Sequence, residues 1–290
     1  MKKWQQGSVE ANGLSIHYYR TGGNLPQVVL NHGVLDDGLC WTRVAGALEA
    51  DYDVILPDAR GHGMSDHGSG DYSSAARAAD LIGVIQALGL EKPVIGGHSL
   101  GADSSLHTAI QRPDLIAGFF MEDPPITFPG EPLFGGPFSE NPDDYFKMMM
   151  PLLKLVKQAP GFMGRAMAKR ISPSSTPDEI EAWLDAKKRV SADLIEAFKQ
   201  PSWLMGNFDF DLLDKVSTPA MLIYGERDAG AIVSQAAAEQ VQQRIAGLRL
   251  VHIAGANHDI RRVRFEDYLE VLKQFLDEVW GEKKGMTLIS

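Results

Sequence analysis

Short apolar runs alternate along this chain with longer segments in which apolar residues recur every three or four positions. The short runs predict strands, and they are Leu14–Tyr19, Val28–Leu30, Val54–Leu56, Val94–Ile95, Ile116–Met121, Met221–Tyr224 and Leu248–Ile253. The longer segments predict helices, and they are Ala75–Leu88, Leu100–Gln111 and Phe265–Val279. Strands that alternate with helices indicate a mostly parallel sheet covered on both faces. The first run, Leu14–Tyr19, is predicted to be an antiparallel edge strand.

The alternation stops between Met121 and Thr218. A loop rich in Pro and Gly, Pro124–Pro142, is followed by segments with helical periodicity and polar or proline breaks. The predicted helices are Asp143–Lys157, Pro160–Arg170, Pro177–Arg189 and Ala192–Lys199. We call residues 124–217 the helical insertion and predict that they form a cap domain. Residues 1–123 and 218–290 then form the core domain.

Composition narrows the class of protein. The chain has 290 residues, 44% of them hydrophobic and 23% charged, which is typical of a globular protein. Its net charge of −10 argues against nucleic acid or an anionic membrane as a partner. Cys40 is the only cysteine, so no intramolecular disulfide is expected. No apolar run follows Lys2 and Lys3 as in a secretory signal, and we expect a cytoplasmic protein.

The segment Gly97-His98-Ser99-Leu100-Gly101 joins a predicted strand directly to a predicted helix. A serine hydroxyl is a weak nucleophile unless it is held beside a base. A sharp strand–turn–helix elbow exposes the hydroxyl and requires small residues two positions before and after it. Gly97 and Gly101 occupy those positions, so Ser99 is the predicted nucleophile.

A base and an acid follow in the expected order. His258 lies after the last predicted strand and Asp228 after the strand before it. Carboxyl ends of parallel strands meet at one edge of a sheet, so both residues are predicted to lie near Ser99. Asp123, at the end of the strand after the nucleophile helix, stays open as an alternative to Asp228, and Glu226 is a further candidate.

Further motifs follow the predicted strands, and together they resemble those of α/β-hydrolase-fold enzymes with a helical cap. Besides the elbow they are Asn31-His32-Gly33-Val34, Asp58-Ala59-Arg60-Gly61-His62-Gly63-Met64-Ser65, Gly225-Glu226-Arg227-Asp228 and Gly255-Ala256-Asn257-His258. The resemblance covers residues 14–123 and 218–279. It implies a mostly parallel eight-stranded sheet flanked by helices, with the cap inserted after the sixth strand. It also implies a triad of Ser99, Asp228 and His258, with an oxyanion hole made by the N–H groups of Val34 and Leu100.

One position departs from the resemblance. Many relatives have a second glycine after the elbow, where this chain has Ala102 and then Asp103. Alanine is small enough to keep the helix close to the sheet. We interpret Asp103 as a solvated carboxylate in the first turn of the helix, with a role beside the nucleophile as the alternative.

No metal or cofactor is expected. His32, His62 and His98 are interpreted as structural residues, because no metal-binding spacing connects them. The glycines of 96–101 lack the Lys-Ser/Thr pair of a phosphate-binding loop, since Ala102 and Asp103 follow them. No G-x-G-x-x-G follows the first strand.

The helical insertion is rich in methionine and aromatic residues. These residues are Phe146, Met148, Met149, Met150, Phe162, Met163, Met167, Trp183, Trp203 and Met205. Most of them should pack within the insertion or against the core, and a few should line a pocket above Ser99. Arg165, Arg170 and Arg189 are candidates to bind a carboxylate of the substrate, but we interpret them as solvated residues on helix surfaces. The pocket is expected to accept a partly apolar small molecule.

These observations predict a cofactor-independent serine hydrolase that cleaves a carboxylic ester, a lactone included. One alternative is hydrolysis of a carbon–carbon bond in a vinylogous diketone, which relatives perform with the same triad. A ligand receptor on the same fold is a second alternative, from a different functional class. Dehalogenases and epoxide hydrolases are disfavoured because those relatives have aspartate where Ser99 stands. The oligomeric state stays open, with a homo-oligomer among the possibilities.

Overall fold

One eight-stranded sheet organises the computed structural model, which describes residues 4–136, 142–158, 161–197 and 208–284. The strand order is β1-β2-β4-β3-β5-β6-β7-β8, and β2 runs antiparallel to both of its neighbours while the others are parallel. The strands are β1 (Gln5–Ala11), β2 (Leu14–Arg20), β3 (Gln27–Asn31), β4 (Asp53–Pro57), β5 (Val94–His98), β6 (Gly118–Glu122), β7 (Ala220–Tyr224) and β8 (Arg249–His252). The predicted mostly parallel eight-stranded sheet is confirmed.

The first strand was absent from the individual strand predictions. Gln5–Ala11 is largely exposed and carries few apolar residues, so its sequence has no strong strand pattern. It pairs with β2 along its whole length, from Gln5 opposite Arg20 to Ala11 opposite Leu14. The prediction that Leu14–Tyr19 is the edge strand is therefore wrong, because β1 covers that edge.

The helices of the described residues are α1 (Thr42–Leu48), α2 (Ser74–Ala87), α3 (Leu100–Gln111), α4 (Pro142–Gln158), α5 (Gly161–Ile171), α6 (Pro177–Arg189), α7 (Ala192–Ala197), α8 (Gln235–Arg244), α9 (Ile260–Val263) and α10 (Phe265–Lys284). Helices α1, α8 and α9 were not predicted, whereas the others lie close to their predicted positions. The predicted bounds Pro160 and Lys199 lie outside the described residues. The last helix continues beyond its predicted end at Val279. Helix α6 begins as expected: Thr176 and Glu179 form a reciprocal capping box, and Pro177 takes the first helical position.

The core consists of two apolar layers, one on each face of the sheet. Alternate residues of β6 enter different layers, with Phe119 and Met121 on one face and Phe120 on the other. All five residues of β6 are buried, as a strand in the middle of a parallel sheet requires. This central position matters because β6 lies between the strand that leads to Ser99 and the strand that precedes Asp228.

Helices α4–α7 of the helical insertion lie between β6 and β7 in the chain. Their apolar side chains pack on core residues near the elbow, in a cluster that includes Leu35, Leu100, Met149, Leu153 and Leu194. The division into a core and a cap at residues 123 and 217 stays a prediction. Within the described residues, no helix is both long enough and apolar enough to cross a lipid bilayer.

Candidate active site

Ser99 lies at the tip of a sharp turn between β5 and α3. Its backbone has φ 53° and ψ −115°, a sparsely populated conformation of the kind stored at functional sites. A Cβ on Gly97 would lie 2.4 Å from the Asn31 carbonyl oxygen, and a Cβ on Gly101 would lie 2.2 Å from it. Both glycines are therefore required by backbone contact, as the sequence pattern predicted.

His258 and Asp123 form the central hydrogen bond of the site. His258 Nδ1 donates to Asp123 Oδ2 at 2.6 Å, and the Asp123 side chain is fully buried. The same carboxylate accepts backbone N–H bonds from Ile232 at 2.8 Å and Val233 at 3.0 Å. Because an ionised carboxylate only accepts, Nδ1 carries the imidazole proton and Nε2 is left as the basic nitrogen.

Asp228 does not take the place that the sequence predicted. It lies in the short 3-10 helix Arg227–Ala229 and is exposed to solvent. After the turn at Gly230, with φ 104°, the chain passes beside β6 and aims the Ile232 and Val233 N–H groups at Asp123. The loop after β7 thus supplies two hydrogen-bond donors to Asp123, and it does not supply the carboxylate that contacts His258. The predicted position of Asp228 is therefore wrong: Asp123, the alternative that the sequence left open, is the aspartate that contacts His258.

The predicted oxyanion groups lie on α3, directly after Ser99, and on the loop after β3. Leu100 is the first residue of α3, so its N–H has no acceptor within the helix. Val34 lines the same cavity as Ser99. The residue after it, Leu35, has φ 66°, and its N–H donates to His62 Nε2 at 3.2 Å. His62 therefore holds the loop that carries Val34.

The histidines near the site are structural, as predicted. His62 is fully buried, and burial lowers its pKa to about 3, which keeps Nε2 an acceptor. His32 donates from Nδ1 to the Gly33 carbonyl oxygen at 2.8 Å and accepts the Ala59 N–H at 2.9 Å. His98 Nε2 donates to the His258 carbonyl oxygen at 2.9 Å. Burial, together with nearby positive charge, also lowers the pKa of His98 well below its usual value, so it positions the His258 loop as a neutral ring.

A cavity of about 660 Å³ contains both Ser99 and His258 in its wall. Its apolar lining comes from the core and from the helical insertion, and includes Leu133, Phe134, Met149, Leu155, Trp183 and Ile232. Met149 and Trp183 are thus among the predicted residues that line the pocket, whereas Phe162 and Met163 are exposed. Phe146, Met148, Trp203 and Met205 have side chains outside the described part of the chain.

A cluster of charged residues in the cavity wall was not predicted. Asp36 accepts hydrogen bonds from Lys187 Nζ at 2.8 Å and from Arg262 Nη2 at 3.0 Å. Burial alone would raise the pKa of Asp36, but the positive charges of Lys187, Arg262 and Arg261 outweigh it and hold the pKa well below its usual value. In the sequence, the only indication of this cluster was the acidic pair Asp36-Asp37 after the predicted oxyanion loop and the pair Arg261-Arg262 after His258.

Of the other charged positions with predictions, Asp103 differs and the three arginines agree. Asp103 is buried and paired with Arg77, so the interpretation as a solvated carboxylate is wrong. Arg165 and Arg170 are exposed as expected, and Arg165 pairs with Glu181. Arg189 is exposed as well, and its guanidinium lies 3.7 Å from Asp37.

Comparisons with known proteins agree with this fold. A model of the alpha/beta hydrolase family matches residues 28–273. The N-formylmaleamate deformylase of Pseudomonas putida is 25% identical, over 93% of this chain and 96% of its own. The 2-(acetamidomethylene)succinate hydrolase of Mesorhizobium japonicum is 23% identical, over 89% and 90% of the two chains. The crystal structure of an N-formylmaleamic acid deformylase from Pseudomonas putida S16 has a TM-score of 0.76 at 21% identity, covering 92% of this chain and all of that one.

Proposed function

Because the chain belongs to the alpha/beta hydrolase family, we propose that it is a serine hydrolase that cleaves carboxylic esters, lactones included, of partly apolar small molecules. Ser99 is the nucleophile, His258 the base, Asp123 the acid that orients it, and Val34 and Leu100 supply the oxyanion N–H groups. The single observation that carries the proposal is the hydrogen bond between His258 and the buried Asp123, at a cavity whose wall contains both Ser99 and His258.

In the first half of the reaction, Ser99 Oγ attacks the acyl carbon while His258 Nε2 takes the hydroxyl proton. The carbonyl oxygen becomes an oxyanion, which the two backbone N–H groups stabilise. The tetrahedral species then collapses, the bond from carbon to the alcohol oxygen breaks, and His258 returns its proton to the departing alkoxide. The product is an alcohol and an acyl group bound to Ser99.

In the second half, a water molecule attacks the same carbon and His258 Nε2 takes one of its protons. The bond to Ser99 Oγ breaks, and the imidazolium returns the proton to that oxygen. The acid leaves and the enzyme is restored. Asp123 stays ionised throughout and stabilises the imidazolium that forms in each half.

A second candidate is hydrolysis of an N-acyl bond by the same steps, with a nitrogen leaving group that His258 protonates. The observation that favours it is the similarity to two curated relatives named for a formyl and an acetamido substrate. The active groups are the same for both candidates, so the shape and polarity of the cavity decide between them.

A substrate panel tests the proposal. We expect the wild-type protein to turn over 4-nitrophenyl esters or lactones, and Ser99→Ala to lose that activity by at least about 10³-fold with an unchanged melting temperature. N-formylmaleamate and a ring-fission dienoate belong in the same panel, since faster turnover of either would reassign the reaction to C–N or C–C cleavage. Ester turnover that survives in Ser99→Ala would refute the nucleophile.

A further inference from the structure

Lys187 is a buried cation in the wall of the cavity that contains Ser99. It lies near the end of α6, is 4% exposed, and comes from the helical insertion instead of the core. Among the described residues its Nζ has one acceptor, Asp36 Oδ1 at 2.8 Å, and it lies 4.4 Å from the centroid of the Trp183 ring. An ammonium has three N–H donors, so this side chain keeps donors that no described acceptor uses.

Arg262 approaches the same carboxylate from the core. Its Nη2 donates to Asp36 Oδ2 at 3.0 Å and its Nη1 to Asp259 Oδ1 at 2.7 Å. A guanidinium has five N–H donors, and Arg262 also lines the cavity. The two cations therefore meet at opposite oxygens of Asp36, beside an otherwise largely apolar space.

We propose that Lys187, with Arg262 beside it, binds a carboxylate of the substrate. The substrate is then an acyl compound that carries an acid group in addition to the bond that Ser99 attacks. This inference rests on the proposed function and narrows its substrate class. A carboxylate suits the site because it accepts charge-assisted hydrogen bonds from both cations.

Two acidic residues beside these cations limit how much a substrate carboxylate gains from binding there. Asp36 and Asp259 already offset much of the positive charge, and each repels an incoming carboxylate. A hydrogen bond to a charged group is nevertheless strong enough to change binding by about 10- to 100-fold. The preference for an acidic substrate is expected in that range.

This preference can be measured with two esters that have the same leaving group. Mono-4-nitrophenyl glutarate carries a carboxylate at the end of its acyl chain, and 4-nitrophenyl hexanoate is a neutral compound of similar length. We expect kcat/KM of the wild-type protein to favour the glutarate ester by at least about 10-fold, mainly through KM. In Lys187→Met that ratio should fall by about 10- to 100-fold, and Lys187→Arg should recover part of it.

Lys188→Met is the matched control. Lys188 is the next residue of the same helix, but it is exposed and pairs with Asp185 on the surface. The control changes the net charge equally, and its ratio should stay at the wild-type value. A purely structural role of Lys187 would lower turnover of both esters together, which would overturn the proposal.

Inhibition of the wild-type protein provides a second measurement that does not depend on the folding of any variant. Glutarate should compete with 4-nitrophenyl hexanoate at least about 10-fold more strongly than 1,5-pentanediol does, and equal inhibition would overturn the proposal. If neither ester is hydrolysed, the proposed serine-hydrolase function is refuted, and this result does not bear on the role of Lys187. Glutarate binding then decides the present inference: binding that weakens in Lys187→Met supports it, and absent or unchanged binding refutes it.

Discussion

Asp123 Oδ2 lies 2.6 Å from His258 Nδ1, although 135 residues separate the two in the chain. The carboxylate is fully buried, and it is held by two backbone N–H groups from the loop after β7. These two hydrogen bonds hold the carboxylate in position independently of its contact with the imidazole. The pair therefore sets the tautomer of His258 and the direction of its other ring nitrogen.

Asp123→Asn should nearly abolish turnover. The amide would present an N–H group to His258 Nδ1, which favours the wrong tautomer, and a loss in kcat on the order of 10⁴ is expected. Asp228→Asn is the control, because Asp228 is exposed, and its kcat should stay within about twofold of the wild type. Ester kinetics on both variants measure this. The reverse pattern would restore Asp228 as the acid.

Gly101→Ala should severely destabilise the protein. The new Cβ would lie 2.2 Å from the Asn31 oxygen and 2.7 Å from the His32 oxygen, and both are backbone atoms that cannot rotate away. A loss of at least about 3 kcal/mol in the free energy of unfolding is expected, as for overpacked cores. The control is Gly281→Ala in α10, where a Cβ meets nothing within 4 Å. That variant should gain up to about 1 kcal/mol, and urea unfolding compares the two.

His62→Ala should lower kcat more than it raises KM. It removes the acceptor of the Leu35 N–H and loosens the loop that presents Val34. A fall in kcat of about 10-fold, with KM within about twofold, is the expected result if the oxyanion contact is made mainly in the transition state. His67→Ala serves as the control, since that ring is largely exposed. Equal effects of the two variants on kcat would count against this role of the loop.

Asp37→Asn should stabilise the protein in a pH-dependent manner. Burial, together with the charges of Asp58 and Asp36, raises the pKa of Asp37 to about 7, against about 3.9 in an unfolded chain. The folded state therefore holds a proton that the unfolded state releases, and the wild-type protein loses stability as the pH rises from about 4 to about 7. Asparagine cannot ionise and still has an oxygen to accept the Leu39 N–H, as Asp37 does.

The difference in melting temperature between Asp37→Asn and wild type should consequently grow between about pH 4 and pH 7 and then stay constant. The corresponding gain in the free energy of unfolding is at most about 1.4 kcal/mol for each unit of pKa shift. Thermal unfolding across that range measures it, with the exposed Asp51→Asn as control. A difference that does not change with pH would contradict the buried, protonated state of Asp37.

Much of the fold could be predicted because it depends on local pattern. Strands β3–β7 contain compact apolar runs, β8 lies within the predicted run Leu248–Ile253, and helix α3 begins directly after Ser99, as its sequence indicated. Strand β1 was missed because its exposed, polar sequence gains its structure from pairing with β2. Such pairing is a tertiary interaction with no periodic signal of its own.

The sequence by itself determined the elbow and placed Ser99 and His258, the proposed nucleophile and base, at one edge of the sheet, because close backbone contact permits only glycine around Ser99 and strand ends meet at that edge. It did not determine which aspartate contacts His258. Both β6 and β7 are followed by an acidic residue, and the path of the loop after β7 buries Asp123 and exposes Asp228. The tertiary structure also decided which cation faces the cavity. Successive residues of a helix point about 100° apart, so the seating of α6 on the core turns Lys187 inward and leaves Lys188 in solvent.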